Sequence, residues 1–185
     1  MSVRHCFRQP LSIVVTAALA GCADTTPVAP NPGNVPRAAV RSPAVASVEL
    51  NTTLAELRRV TARYHDIEAA VADGFFPVIA ECEPDESNTI PYANLDRLLD
   101  GELDPSRPDA LLYEPGENGR MTLVAVEMVM PYPLWTAVEP PRFLGVALQR
   151  EDELGVWGLH VWVWRHNPDG MFAARNPRVS CPERQ

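Results

Sequence analysis

The chain contains no lysine: all 16 of its basic residues are arginine, set against 24 acidic residues. Chemistry that needs a side-chain primary amine is therefore excluded, both a Schiff base with a carbonyl substrate and the phosphate-gripping lysine of a Walker loop. A surplus of positive charge is missing too. The formal net charge of −8 repels phosphate backbones and anionic lipid, which argues against nucleic acid as a partner. No apolar run is long enough to cross a bilayer; the most apolar one, residues 11–20, has ten residues where a spanning helix needs about 20. The sequence holds no close-spaced HExxH ligand pair, no serine in a GxSxG setting, no glycine-rich phosphate loop and no CxxC pair.

What is present begins at the N-terminus. Arg4 and Arg8 precede the apolar stretch 11–20, the pattern of a signal peptide rather than of a membrane span. Leu19-Ala20-Gly21-Cys22 follows, and it resembles the lipobox of bacterial lipoproteins. The resemblance implies cleavage before Cys22, a diacylglyceryl group on its sulfur and often an acyl chain on its new amino group. One acyl chain holds a membrane marginally, at about 0.8 kcal/mol per buried methylene, whereas two or more anchor it stably. The expected partner is thus a membrane, reached through the lipid, and the expected location is the cell envelope. In a host with two membranes, Ala23 after the cysteine points to the outer one by the family's sorting habit. Cleavage removes Arg4 and Arg8 and no acid, leaving 14 arginines against 24 acids, a net charge of −10.

Four cysteines are few. Cys6 leaves with the signal and Cys22 takes the lipid, so Cys82 and Cys181 remain for the domain. Two cysteines in an exported domain most often pair. A bridge closing about 100 residues would stabilise by roughly 4–5 kcal/mol in the chain-entropy description. Two separate thiols, or a metal site sharing them, are the alternatives.

The segments divide as residues 1–21, a signal peptide; 22–49, a lipidated cysteine with a disordered tether rich in proline and alanine; and 50–185, a single domain. Five prolines and no period of 2 or 3.6 mark the tether. A helix is expected over 54–73, opened by a Thr53/Glu56 capping box and ended by Gly74, with Leu54, Leu57, Val60, Tyr64, Ile67 and Val71 as its core stripe. A short helical turn is expected over 95–100. Residues 110–113 and 121–130 read as a hairpin whose second strand is apolar on both faces, hence central in its sheet. On that strand Met121, Leu123, Ala125 and Val129 form one face, and Thr122, Val124, Val126, Met128 and Met130 the other. Residues 156–165 read as a further strand, and 167–170 as a type I turn. Helix first and strands later, without regular βαβ alternation, predicts an α+β fold: an N-terminal amphipathic helix packed on a mainly antiparallel sheet.

The stretches 159–172 (LHVWVWRHNPDGMF) and 176–181 (NPRVSC), with Tyr64-His65-Asp66 and Leu111-Leu112-Tyr113-Glu114, resemble a family of exported bacterial proteins. The resemblance implies one domain and carries no activity. Relatives place a histidine shortly before the tyrosine matching Tyr92; Pro91 stands there in this chain, which puts a site built on that histidine in doubt.

Glu127 interrupts an apolar face of the central strand, where a lone carboxylate is costly to bury. His160 interrupts the matching face of 156–165. The two could form a satisfied structural hydrogen bond, or the start of a metal or acid–base site with His65 as third member and Glu68 beside it. His166 and the acidic runs 81–86 and 151–153 are expected in solvent. Trp157, Trp162 and Trp164 are expected in the core, with a stacking platform for sugars as the sharper alternative. The function expected is a non-enzymatic envelope lipoprotein with a binding or structural domain and no cofactor. The alternative is a metal-dependent enzyme or metal-binding protein using His160, Glu127 and His65.

Overall fold

Pro43 has the fixed φ that suits a first helical residue, and the run that follows is rich in alanine and free of glycine. In the computed structural model, which describes residues 43–82 and 87–182, helix α1 accordingly spans Pro43–Thr61. The expected signal peptide, Cys22 and most of the tether lie outside the described residues. The helix starts well before Thr53, so that threonine is interior and caps nothing, and residues 43–49 of the expected tether are helical. Nor is the helix continuous to Asp73. A 3-10 turn, Ala62–His65, follows α1, and Asp66 then accepts from the Glu68 N–H to cap a separate helix α2, Ile67–Ala72. The break turns the stripe: Leu54, Leu57 and Tyr64 are buried, but Val71 is 51% exposed. Among the described residues no helix is long and apolar enough to cross a membrane.

The strands are β1 (Phe76–Pro77), β2 (Ile90–Ala93), β3 (Ala110–Pro115), β4 (Met121–Pro131), β5 (Arg142–Phe143), β6 (Val146–Ala147), β7 (Gln149–Glu151) and β8 (Val156–Val161), with a short helix α3 (Leu95–Leu98) after β2. Six of them form one antiparallel sheet in the order β1-β2-β3-β4-β8-β7, and β5 and β6 pair separately. The fold is α+β, a helical N-terminal part on a mainly antiparallel sheet, and β4 is central as its two apolar faces require.

One face of the sheet packs on the helices through Leu111, Tyr113, Val126, Met128, Leu159 and Val161. The Tyr113 hydroxyl donates to the Tyr64 carbonyl, and Trp164 Nε1 donates to the buried Thr61 hydroxyl. The other face holds Leu112, Val124, Ala125, Trp162 and Val179. Strict alternation along β4 therefore fails at one point. Leu112 pairs with Ala125 but Tyr113 pairs with Leu123, leaving Val124 as a bulge, so Leu123 joins the helix-side core and parts company with Ala125. The Val124 carbonyl released from the ladder accepts from the N–H groups of both Trp164 and Arg165. The same bulge stops β8 at Val161, four residues short of the expected end. Residues 162–182 continue without helix or strand, through a turn in which Gly170 N–H donates to the Asn167 carbonyl, and return over the second face as a strap. Cys181 is joined there to Cys82 with a Cα separation of 5.6 Å.

Candidate metal site

Ladder registers place the site. Glu127 on β4 lies directly across from His160 on β8, and Gln149 on β7 lies across from Gly158. Residues opposite one another share a face, and every second residue returns to it. Glu127, Gly158, His160, Gln149 and Glu151 therefore all project from the face under the strap. One ligating atom each from Glu127, Glu151 and His160 lies within 4.8 Å of the others. Three neighbouring strands supply one ligand apiece.

The glycine between them makes the gathering possible. A Cβ at position 158 would stand 2.5 Å from Glu151 Oε1 and 2.7 Å from Glu127 Oε1. Glycine inside a strand is unfavourable by itself and marks a place where something approaches closely; here it is two carboxylates.

His160 is oriented from behind. Its Nδ1 lies 2.7 Å from the Ala174 carbonyl, which can only accept, so Nδ1 carries the proton and Nε2 offers its lone pair. Nε2 faces Glu127 Oε1 at 3.9 Å, too far for a hydrogen bond. A ring nitrogen fixed by a backbone carbonyl with its opposite nitrogen turned toward carboxylates is the arrangement of metal-ligating histidines. Burial lowers the His160 pKa, outweighing the raising effects of the Ala174 carbonyl and the Glu151 carboxylate, so the imidazole is neutral at pH 7.

Glu127 is 7% exposed, and among the described residues nothing donates a hydrogen bond to its carboxylate. Burial pushes its pKa up to about 7. Asp109, on the approach to β3, is 1% exposed and accepts from the Val129 N–H, yet burial and the charges of Asp100 and Glu127 raise its pKa to about 7 as well. Two nearby buried carboxyls thus resist ionisation together. A cation between Glu127 and Glu151 would reverse that at Glu127.

A pocket of about 20 Å³, room for an ion or a water, adjoins the site; Glu151, His160, Phe172 and Ala174 are among its lining, and Glu127 is not. In a tetrahedron with bonds of about 2.0–2.1 Å, ligand atoms stand roughly 3.3–3.4 Å apart. Holding an ion tetrahedrally therefore requires the three side chains to draw closer together than they stand here.

The structure divides the expected residues. It brings Glu127 and His160 together but not His65. That residue lies exposed on the 3-10 turn with its ring edge-on to Trp164 at 4.4 Å, on the helix side of the sheet, and Glu68 is exposed on α2. The third side chain in reach is Glu151, which belongs to an acidic run whose composition reads as solvated. Its signal was the pattern Gln149-Arg150-Glu151 before a glycine turn, which reads as an edge strand presenting positions 149 and 151 to one face. His166 is exposed as expected, and Cys82 and Cys181 are joined to each other in a disulfide. The tryptophans form no platform. Trp162 is buried under the strap, Trp164 packs on the helix side, and Trp157 stands against Tyr132 and Arg150. A second concavity, lined by Arg59, Arg63, Tyr64 and Arg97, is cationic in name only. Arg59 pairs with Glu56, Arg63 with Asp73, and Arg97 donates to the Pro108 carbonyl and the Tyr64 hydroxyl.

No protein-family model, curated protein or solved structure matches the chain.

Proposed function

We propose that this protein is a lipid-anchored envelope protein whose domain holds one divalent transition-metal ion between Glu127, Glu151 and His160. The observation that carries the reading is the convergence of these three side chains on a space that only glycine at 158 leaves open. One neutral imidazole with two carboxylates suits zinc or a neighbouring first-row metal, whereas calcium and magnesium prefer oxygen alone. Titration of the metal-free protein with zinc should give one equivalent bound per chain. Glu151→Gln and His160→Gln should each weaken binding by 10-fold or more while keeping the near-ultraviolet signal of the folded tryptophans. Binding unchanged in both variants would sink the assignment.

Anchoring rests on the lipobox. Cys22→Ser lacks the thiol that accepts the diacylglyceryl group, so metabolic labelling with a palmitate analogue should mark the parent and not the variant. Label retained by Cys22→Ser would remove the lipoprotein half of the proposal.

A further inference from the structure

We propose that the Cys82–Cys181 disulfide is a redox latch on the metal site: closed, it holds down the strap that aims His160, and opened, it lets the ion go. This rests on the metal-binding reading above.

The strap over the site has no ladder to hold it. Its backbone carbonyls are gripped one at a time: Met171 by the Trp162 N–H at 3.0 Å, Ala173 by Trp162 Nε1 at 2.6 Å, Ala174 by His160 Nδ1 at 2.7 Å and Arg175 by Asn167 Nδ2 at 2.7 Å. Further on, Val179 is buried and its carbonyl accepts from Asn88 Nδ2 at 3.1 Å. Isolated bonds of this kind contribute little individually, and segments held by them open locally. The strap is also tied near Cys181, where the Ser180 N–H donates to Glu114 Oε1 at 3.2 Å, and it is attached covalently at both ends. One end is the continuation of β8 through the 167–170 turn; the other is the covalent bond from Cys181 to Cys82. The Ala174 carbonyl, midway, is what sets the His160 tautomer and ring plane.

Reduction removes the one covalent attachment at the far end of the strap. A dithiol donates two electrons and two protons; the Sγ–Sγ bond breaks, Cys82 and Cys181 become thiols, and the dithiol closes to its own disulfide. Both cysteines are half-buried and not sealed, so a reductant can reach the bond. With the strap free to lift, Ala174 leaves His160 Nδ1, the ring loses its fixed tautomer, and water enters between the carboxylates. Loss of the group that orients a metal-ligating histidine typically costs 10–100-fold in affinity.

The test is zinc affinity of detergent-solubilised mature protein, by competition with a chromophoric chelator. Cys82→Ser/Cys181→Ser serves as the open form, because serines cannot bind zinc as freed thiols would. We expect binding at least 10-fold weaker in the double variant. Equal affinity overturns the latch and leaves the metal site standing; no zinc bound by the oxidised parent overturns both. Should the double variant fail to fold, the parent is reduced and its two thiols are capped with iodoacetamide, which removes them as zinc ligands; the same 10-fold loss is expected, and equal affinity overturns the latch.

Discussion

Glu127→Gln is expected to stabilise the metal-free domain at pH 8, by on the order of 3 kcal/mol, while abolishing its response to zinc. The sign is unusual for a buried polar residue and follows from the direction of its pKa shift. Burial raises the Glu127 carboxyl from 4.5 to about 7. Its folded form therefore binds a proton that the unfolded chain has already released between those pH values, and stability falls as pH rises through that window. Above pH 7 the domain carries an ionised, unpaired buried carboxylate, and a neutral amide of the same shape removes that penalty. At pH 4 both forms are neutral and the substitution should be close to silent. Asp109, raised for the same reason, leaves a similar falling slope in the variant. His160 works against both: its lowered pKa costs stability as pH falls below 6.5, where the unfolded chain protonates first. The net expectation for the parent is a metal-free domain more stable near pH 5 than at pH 8, with zinc restoring the loss at pH 8. Thermal unfolding at the two pH values, with and without zinc, checks every part. A Glu127 bonded to His160 as a structural pair would give the reverse at pH 8, a loss of about 3–5 kcal/mol in the variant.

Gly158→Ala should separate folding from binding more sharply than any change to a ligand. The atoms an added Cβ would strike are Oε1 of Glu151 and Oε1 of Glu127, side-chain atoms and not backbone. They can swing aside without moving a strand, and alanine restricts the unfolded chain more than glycine does. The midpoint of unfolding should therefore stay within a few degrees of the parent's, while the carboxylates are pushed out of the space an ion needs and zinc affinity falls by 100-fold or more. Full zinc affinity in folded Gly158→Ala would mean that the ion, if bound, sits elsewhere.

How far the sequence reaches can be judged from the same residues. The central strand, the hairpin and the strand faces that bear Glu127 and His160 follow from patterns a few residues long, because alternation and turn chemistry are local, whereas the disulfide follows from the count of cysteines. The breaks do not. Asp66 ends one helix and caps another, yet the heptad-like spacing of apolar residues runs through it undisturbed, so one helix was expected where two stand. The Val124 bulge shifts the register without any glycine to signal it, and it moves Leu123 to the helix side of the sheet. His65 looked like a ligand because it neighbours the core stripe, but the stripe faces the side of the sheet that the site does not. Glu151 was hidden in an acidic run whose composition reads as solvent. Only the β7–β8 pairing gives that carboxylate a direction. Long-range pairing, not residue type, decides which charges are brought together.

Zinc K-edge absorption of the loaded protein tests the central claim most directly. The account predicts a first shell of nitrogen and oxygen at about 2.0–2.2 Å, with the outer-shell pattern of a single imidazole and no sulfur. Two imidazoles, or any sulfur at about 2.3 Å, would contradict a site made of Glu127, Glu151 and His160.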